Sequence, residues 1–335
     1  MKCLCLMLAG VLMTAEARGQ ATEPATDGGG ATSAVGAASP GAGPVFRSGV
    51  DLVALNVVVT DTKQKFVNGL LLGDFSVFED GVRQDVSFFA ASNVPLDLAI
   101  LLDTSASMAE KMPIVRQAAT GFLGTLRQGD RVMVVDIKDV THVLQPLGPD
   151  VVAAHTAIQE AKASGGTSLY NALYMTLKEL SKGRGAGREI RRQAIVVLSD
   201  GVDTSSVVSF DDLLDVAKDS GIATYTITLR SPASAAFASA NIGRMFDEPE
   251  FAMKSLAQET GARSFFPTDI HQLKDVYGSI ATELANQYAI GYMPKNLRTD
   301  GVFRRIMVRV SERPDVRTRT RSGYTPPRAR TRPLE

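Results

Sequence analysis

The sequence contains few of the residues on which redox and zinc chemistry depend. Its 335 residues include two cysteines, three histidines and no tryptophan. Both cysteines, Cys3 and Cys5, lie within residues 1–17, which we interpret below as a leader that is removed. A mature chain without cysteine excludes disulfides, thiol catalysis and thiolate metal sites.

The chain also lacks an excess of charge of either sign. Lysine plus arginine and aspartate plus glutamate each number 36, so the formal net charge is zero. This balance does not favour nucleic acid as a partner. With 44% apolar and 21% charged residues the composition is that of an ordinary globular protein. The length suffices for one large domain and a smaller one.

The N-terminal region has the features of an export signal. Met1 and Lys2 form a short basic start, residues 3–13 are apolar, and the Ala-Glu-Ala at 15–17 fits a cleavage site between small residues. We predict a secretory signal peptide over residues 1–17, with an uncleaved N-terminal anchor as the alternative. No later segment is long and apolar enough to span a membrane. We therefore expect a mature chain without a transmembrane segment, located in the periplasm or secreted.

The segments outside the central part of the chain fall into a linker, two β regions and a tail. Residues 18–44 are low in complexity and bury too little apolar surface to offset their ordering entropy, so we predict a disordered linker. Branched residues that partly alternate and the dipeptide Asp80-Gly81 indicate β-structure in residues 45–94. β signals return in residues 287–326, before a basic tail at 327–335.

The central part of the chain, residues 95–286, alternates between apolar strands and amphipathic helices. Its first strand, 98–102, is a nearly pure apolar run, as in strands buried on both faces. We predict an α/β fold with a doubly wound, mostly parallel sheet of order 3-2-1-4-5-6 and helices on both faces. We further predict that the flanking β regions form one small β-sandwich into which the α/β domain is inserted. Two unrelated β appendages are the alternative.

Three short polar motifs stand at the ends of these predicted elements. Asp-Thr-Ser-Ala-Ser at 103–107 follows the first strand, Gly-Gly-Thr-Ser at 165–168 precedes a helix, and Leu-Ser-Asp-Gly at 198–201 ends the fourth strand. In the predicted order the first and fourth strands are neighbours, and ligands bind at their carboxyl ends. We expect Asp103 and Asp200 to face each other there, while the glycines before Thr167 let that loop approach.

The side chains of these motifs are oxygen ligands suited to a hard cation. Two carboxylates and three hydroxyls suit Mg²⁺, Mn²⁺ or Ca²⁺, and the lack of histidine and cysteine disfavours zinc. Because hydroxyls carry no charge, the ion should keep an open position that attracts an outside carboxylate. We predict a metal site, with Mg²⁺ as the first candidate for the ion, at which the bound cation coordinates an acidic residue of a protein partner. A network that only caps helix starts is the alternative. The predicted ligands are Asp103, Ser105, Ser107, Thr167 and Asp200.

The three motifs resemble the metal-ion-dependent adhesion site of the von Willebrand factor A family, Asp-x-Ser-x-Ser followed by Thr and then Asp. The resemblance covers residues 95–286. It implies that the serines and the threonine contact the ion directly, while the aspartates hold it directly or through water. The flanking segments, with Asp74-Phe75 and the run at 287–292, resemble a bacterial, acidobacterial-type group of secreted relatives of this family. That resemblance implies export but no assigned biochemical role.

Several features leave other functions open. A metal-dependent enzyme or regulatory subunit is one alternative, but no general base or nucleophile is indicated, and His142, His155 and His271 are scattered. We therefore predict a chain that is not an enzyme and has no catalytic or organic cofactor-binding residues. A purely structural ion is another alternative. For the long connection at 230–248 we predict either selection of the partner or local packing of its apolar residues. For the arginines near the C-terminus we predict either binding to anionic lipid or polysaccharide, or protection of an exposed strand edge by their charge.

Overall fold

The computed structural model describes residues 52–91, 94–182, 189–200, 202–229 and 248–327. The predicted signal peptide, the predicted linker, all but the last residue of the 230–248 connection and most of the predicted tail lie outside these ranges.

The described residues form fourteen strands: β1 Val53–Asp61, β2 Phe75–Glu79, β3 Val82–Gln84, β4 Val86–Ala90, β5 Leu96–Asp103, β6 Arg131–Ile137, β7 His142–Gly148, β8 Arg192–Ser199, β9 Ala223–Thr228, β10 Ser264–Phe265, β11 Tyr288–Tyr292, β12 Arg304–Val310, β13 Val316–Arg319 and β14 Gly323–Tyr324. They also form six α-helices: α1 Met112–Leu123, α2 Val151–Glu160, α3 Leu169–Lys182, α4 Phe210–Ser220, α5 Glu248–Glu259 and α6 Leu273–Ala285.

Six strands form the central sheet in the order β10-β9-β8-β5-β6-β7. All of them except β7 are parallel. β5 and β8 are buried at every position, because α1, α2 and α6 pack on one face of the sheet and α3, α4 and α5 on the other. This arrangement confirms the predicted doubly wound sheet, in which the first and fourth strands, here β5 and β8, are neighbours.

The edge strand β7 runs antiparallel to β6, so the sheet is mixed. Residues 138–141 connect the two strands, which is enough for a hairpin, whereas a parallel crossover needs about a dozen residues or more. Two helices, α2 and α5, were not predicted. For α2 a local signal existed, since Asp150 lies at its N-cap and accepts a hydrogen bond from Ala153 N.

Eight strands from the two flanking regions form two antiparallel sheets, ordered β13-β1-β11-β4 and β14-β12-β2-β3. Each sheet combines strands from before and after the α/β domain, and the inner faces share an apolar core that includes Val57, Phe75, Tyr288 and Val308. Apart from β2 with β3 and β12 with β14, strands of the first half pair with strands of the second half. The predicted sandwich from flanking segments is therefore confirmed. The residue limits 45–94, 95–286 and 287–326 stay predictions.

A buried carboxylate lies between the two sheets of the sandwich. Glu79 of β2 accepts hydrogen bonds from the hydroxyls of Tyr292 (2.8 Å) and Tyr324 (3.0 Å) and pairs with the Arg304 guanidinium at 3.4 Å. Burial, together with the charge of Glu79, raises the pKa of Tyr324 to about 12 and also raises the pKa of Tyr292. Both phenols therefore stay protonated and able to donate. The cluster ties a residue that precedes the α/β domain to three that follow it.

The end of β13 and the residue that follows it join the sandwich to the α/β domain. The Arg319 guanidinium pairs with the buried Glu283 carboxylate of α6 at 2.6 Å. Beyond α5, Gly261 has a φ of +76°, and a Cβ at this position would overlap the main chain of Thr320. Only glycine permits so close an approach of the two backbones. These contacts hold the base of the α/β domain, at the ends of α5 and α6, against the sandwich.

Candidate metal centre

The carboxyl ends of β5 and β8 bring two of the predicted motifs together. Leu102 pairs with Leu198 in the sheet, so Asp103 and Ser199 occupy the last positions of neighbouring strands. The Ser199 hydroxyl donates to Asp103 Oδ2 (2.6 Å), and Asp103 Oδ1 accepts from Ser105 N (2.9 Å). Asp103 is fully buried, and these two bonds fix the orientation of its carboxylate.

Hydroxyl groups connect the two aspartates of the predicted site. The hydroxyl oxygens of Ser105 and Ser107 are 3.0 Å apart, and the Ser107 hydroxyl donates to Asp200 Oδ2 at 2.7 Å. The structure thus joins four of the five predicted ligands in one network that runs from Asp103 to Asp200. Burial falls along this network, because Asp103 and Ser105 are 0% and 2% exposed, whereas Asp200 is half-buried and Ser107 exposed.

The fifth predicted ligand, Thr167, belongs to a loop that lies against the first motif. Ala106 N donates to the Gly165 carbonyl at 3.0 Å, which joins the two loops directly. Thr167 itself is buried, and its main-chain N donates to the Thr204 hydroxyl at 3.0 Å. The loops of all three motifs therefore meet at one edge of the sheet, as the predicted strand order requires.

The electrostatics of this cluster favour a bound cation. Burial raises the pKa of Asp103, hydrogen bonds from Ser105 and Ser199 lower it, and the neighbouring charge of Asp200 raises it. The pKa of Asp103 remains raised, so its hydrogen bonds do not fully replace the solvation that the carboxylate has lost. A cation between Asp103 and Asp200 would offset both the burial and the mutual repulsion of the two carboxylates.

The donor set determines which kind of cation fits. Within the described ranges, no three His, Cys, Asp or Glu side chains are grouped so as to hold a metal ion. An ion between Asp103 and Asp200 would therefore depend on hydroxyl ligands as well as on the two carboxylates. Such oxygen ligands suit Mg²⁺, Mn²⁺ or Ca²⁺. The four residues that the network joins are oxygen donors of the kind that a hard divalent cation takes. That these four and Thr167 hold a cation stays a prediction.

Two residues beyond the third motif cap helix α3 from outside the helix. Asp203 Oδ2 accepts from Tyr170 N (2.9 Å), and the Ser206 hydroxyl accepts from Asn171 N (3.0 Å). These bonds satisfy N–H groups of the first helical turn and fasten the loop after β8 to the helix that follows Thr167. Sequence analysis missed them. The Asp-Thr-Ser-Ser at 203–206 is typical of caps, but the identity of the capped helix depends on tertiary contacts.

An ion pair with a buried carboxylate contacts the first motif. Asp136, near the end of β6, accepts a hydrogen bond from the Thr104 hydroxyl and pairs with Lys138 Nζ at 2.9 Å. The Lys138 carbonyl accepts in turn from Ser168 N at 2.8 Å. The pair thus holds the first and second motifs in position. Because the Asp136 carboxylate neutralises the ammonium, Lys138 adds little positive charge beside the candidate site. No sequence pattern indicated this pair.

Gly165 allows the second motif to approach the β6–β7 turn. Its φ is +73°, and a Cβ there would overlap Asp139 Oδ2, which accepts from Gly166 N at 2.9 Å.

We expect Gly165→Ala to lower Mg²⁺ affinity about tenfold, in the range for groups that support metal ligands. An L-residue in this left-handed conformation costs about 1–2 kcal/mol, and the added methyl displaces Asp139. Calorimetric titration measures the change, with Gly73→Ala, where a Cβ meets no neighbour, as the control. Unchanged affinity in Gly165→Ala would contradict the role of this loop.

The α/β domain matches a known family model, and part of the chain matches a known sequence. The family model of the von Willebrand factor type A domain matches residues 97–279, more than half of the chain. An uncharacterized protein of Synechocystis is 32% identical over 111 residues, which cover 32% of this chain and 26% of that protein. The chain thus spans about a quarter of the length of this relative.

Three solved structures are similar to this chain at low sequence identity. The von Willebrand factor type A protein from Catenulispora acidiphila is 14% identical with a TM-score of 0.46, covering 84% of this chain and 65% of that one. The vWF domain of the type V pili tip protein Mfa5 from Porphyromonas gingivalis is 14% identical with a TM-score of 0.45, covering 58% and 96%. Proximal thread matrix protein 1 from the mussel byssus, solved with a zinc-occupied MIDAS motif, is 13% identical with a TM-score of 0.46, covering 58% and 49%.

Proposed function

The chain belongs to the von Willebrand factor type A domain family, and on that premise we propose that it is a metal-dependent protein-binding module whose cation is completed by a carboxylate of the partner. The observation that carries this proposal is the gradient of burial along the ligand network. Asp103, Ser105 and Thr167 are buried, whereas Ser107 is exposed. An ion held by the buried groups has its remaining coordination positions on the open side, where a partner can reach them.

The charge of the donor set supports the same proposal. Asp103 and Asp200 neutralise a divalent cation only when both bind it directly, and the hydroxyls add no charge. Where one carboxylate acts through water, the ion keeps a net positive charge that attracts an acidic residue of a partner. The Ser105 hydroxyl contacts the Ser107 hydroxyl, which in turn donates to Asp200, an arrangement suited to holding a cation. We therefore propose that the chain is not an enzyme, with a metal-dependent enzyme or a regulatory subunit as the alternative.

Cation identity and location are parts of this proposal. The oxygen-only donor set supports Mg²⁺, with Mn²⁺ or Ca²⁺ as alternatives. The basic start, the apolar run at 3–13 and the Ala-Glu-Ala at 15–17 support export to the periplasm or beyond the cell. Along the described ranges, no helix combines the length and apolarity that crossing a bilayer requires. We propose a role in adhesion or envelope assembly and membership of the secreted, acidobacterial-type group.

We expect a partner from a cell-envelope extract to be retained by the mature chain in Mg²⁺ and released by EDTA. Asp103→Asn should retain no partner, because it removes a ligand charge from the site. Glu110→Gln alters an exposed acid that follows the first motif and should behave like the wild type, so it serves as the matched control. Affinity capture with mass spectrometry identifies the partner. Surface plasmon resonance with the purified partner then gives the affinity of each variant.

Two results would contradict this mechanism. A partner held equally in Mg²⁺, in EDTA and by Asp103→Asn would move recognition to the β-sandwich, to residues 230–248 or to the basic tail. The ion would then have a structural role. Substitution of each acidic residue of the identified partner tests whether a partner carboxylate completes the coordination of the ion. If no single Asp or Glu of the partner is needed for Mg²⁺-dependent binding, then a partner carboxylate does not complete the coordination.

A further inference from the structure

The outer face of the sheet that contains β2, β3 and β12 carries an exposed basic patch. Arg83, Arg305 and Arg309 are exposed, while the residues that alternate with them on β12 are buried in the sandwich. Phe78 is half-buried and Met307 is 43% exposed. We call these five residues the arginine face. It lies on the sandwich and shares no residue with the candidate metal centre.

The strand register places the apolar side chains between the charged ones. Phe78 of β2 pairs with Met307 of β12 on one side and with Arg83 of β3 on the other. Side chains directly opposite each other in antiparallel strands have Cβ atoms about 5 Å apart. Arg305 and Arg309 stand two residues before and after Met307, and therefore on the same face, each about 7 Å along the strand. Three guanidiniums thus surround an apolar centre in a patch roughly 15 Å across.

The positive charge of the arginine face is not balanced by paired acids. In the part of the chain that the structure describes, none of its three guanidiniums takes part in an ion pair. By contrast Arg304, which points inward from the same strand, pairs with Glu79. Asp80, in the β2–β3 turn, accepts from the main-chain N of Arg305 at 2.9 Å. The face therefore retains an excess of positive charge, which fits an anionic partner.

The contacts of Arg309 indicate which anionic partner fits. Its guanidinium lies 5.7 Å from the centre of the Phe78 ring, and its Nε is 3.1 Å from the Met307 sulfur. Because a cation already lies over the ring, Phe78 does not offer the open stacking platform that single-stranded nucleic acid uses. An apolar centre with a basic rim suits a membrane surface, where apolar side chains enter the headgroup layer and basic residues meet the anionic lipids.

We propose that the arginine face docks the chain reversibly on an anionic phospholipid surface. A basic residue near such a surface contributes about 1 kcal/mol, or about fivefold in partitioning. Three arginines together then contribute about 100-fold, which is enough for weak docking and not for permanent anchoring. Docking through the sandwich leaves the metal centre on the α/β domain available to a partner. The proposal does not rest on the metal centre, and its failure would leave the proposed function untouched.

The test is co-sedimentation of the full chain with vesicles at low salt. Vesicles of phosphatidylglycerol mixed with phosphatidylcholine are compared with vesicles of phosphatidylcholine alone. The triple variant Arg83→Gln, Arg305→Gln, Arg309→Gln should lose about 100-fold in partitioning to the anionic vesicles. A matched control removes the same number of positive charges at exposed positions elsewhere, namely Lys63→Gln, Lys162→Gln and Lys274→Gln. This control should bind within about twofold of the wild type.

Each outcome decides for or against the arginine face. Loss in the arginine variant with retention in the lysine control supports it. Equal loss in both variants would show attraction by net charge alone, and retention in the arginine variant would place any lipid contact elsewhere. A wild type that binds dextran sulfate but not anionic vesicles would assign the face to a soluble polyanion. Circular dichroism checks folding, and if the triple variant unfolds, the single Arg309→Gln change should still reduce partitioning about fivefold.

Discussion

Asp103→Asn should abolish cation binding and leave the fold intact. Asparagine has nearly the same shape as aspartate, and its amide can still accept from Ser105 N and bond to the Ser199 hydroxyl, as Asp103 does. The substitution removes a buried negative charge that Asp200 repels. Without cation, the free energy of unfolding should therefore stay equal or rise. With Mg²⁺, the stabilisation that the wild type gains should disappear.

Calorimetric titration and thermal unfolding measure these two effects separately. We expect a loss of Mg²⁺ affinity of about 100-fold or more, because changing groups that only support a metal ligand already costs about 10–100-fold. With Mg²⁺ at about 100 times its Kd, the wild type should gain about 2.7 kcal/mol. Glu110→Gln, the matched control, should gain the same amount.

Two results would overturn the metal centre as assigned. Wild-type Mg²⁺ affinity in Asp103→Asn would remove this carboxylate from the set of ligands. A wild-type chain whose unfolding temperature responds to none of Mg²⁺, Mn²⁺ and Ca²⁺ would refute the site as a whole. The network from Asp103 to Asp200 would then serve only to hold the first and third motifs together through hydrogen bonds.

Glu79→Ala should lower the free energy of unfolding of the sandwich by about 3–5 kcal/mol, which is the range observed when one partner of a buried ion pair is removed. The substitution leaves the Arg304 guanidinium, 3% exposed, without its carboxylate partner. It also removes the acceptor for the hydroxyls of Tyr292 and Tyr324. Because these three residues lie beyond the α/β domain in the chain, the loss should loosen the association of the two halves of the sandwich.

Urea unfolding monitored by tyrosine fluorescence and by circular dichroism measures this loss. Asp85→Ala is the control, since Asp85 pairs with Lys295 at 3.0 Å but its side chain is 86% exposed. Such exposed pairs contribute about 1 kcal/mol or less. A Glu79→Ala variant that is no less stable than Asp85→Ala would show that the buried cluster does not hold the two halves together.

The meeting of the three motifs was predictable because parallel strands carry their carboxyl ends to the same edge of a sheet. The apolar run of β5 identified this strand as buried on both faces, and the strand order followed from the alternation of elements. Asp103 and Ser199 therefore occupy neighbouring strand ends, as the register shows. The direction of β7 was also open to prediction, since four residues cannot form a parallel crossover.

The groups that support the site could not be predicted in the same way. Asp136 and Asp139 each bond to a loop that is distant in sequence, and Asp203 bonds to the first turn of helix α3. In the sequence all three look like ordinary loop or strand-end acids. Helix α5 was missed as well. The placement of these groups depends on which loops the fold brings together.

Local sequence determined most of the elements and the residue types of the candidate site, because periodicity and turn chemistry act over a few neighbouring residues. Tertiary structure alone decided which hydroxyl bonds to which carboxylate, and that Asp136 neutralises Lys138. It also decided that Arg304 pairs with Glu79 inside the sandwich, while the neighbouring Arg305 is exposed. Successive residues of a strand point to opposite faces. The strand register and the partner sheet therefore determine which charges are buried in pairs and which stay available to a ligand.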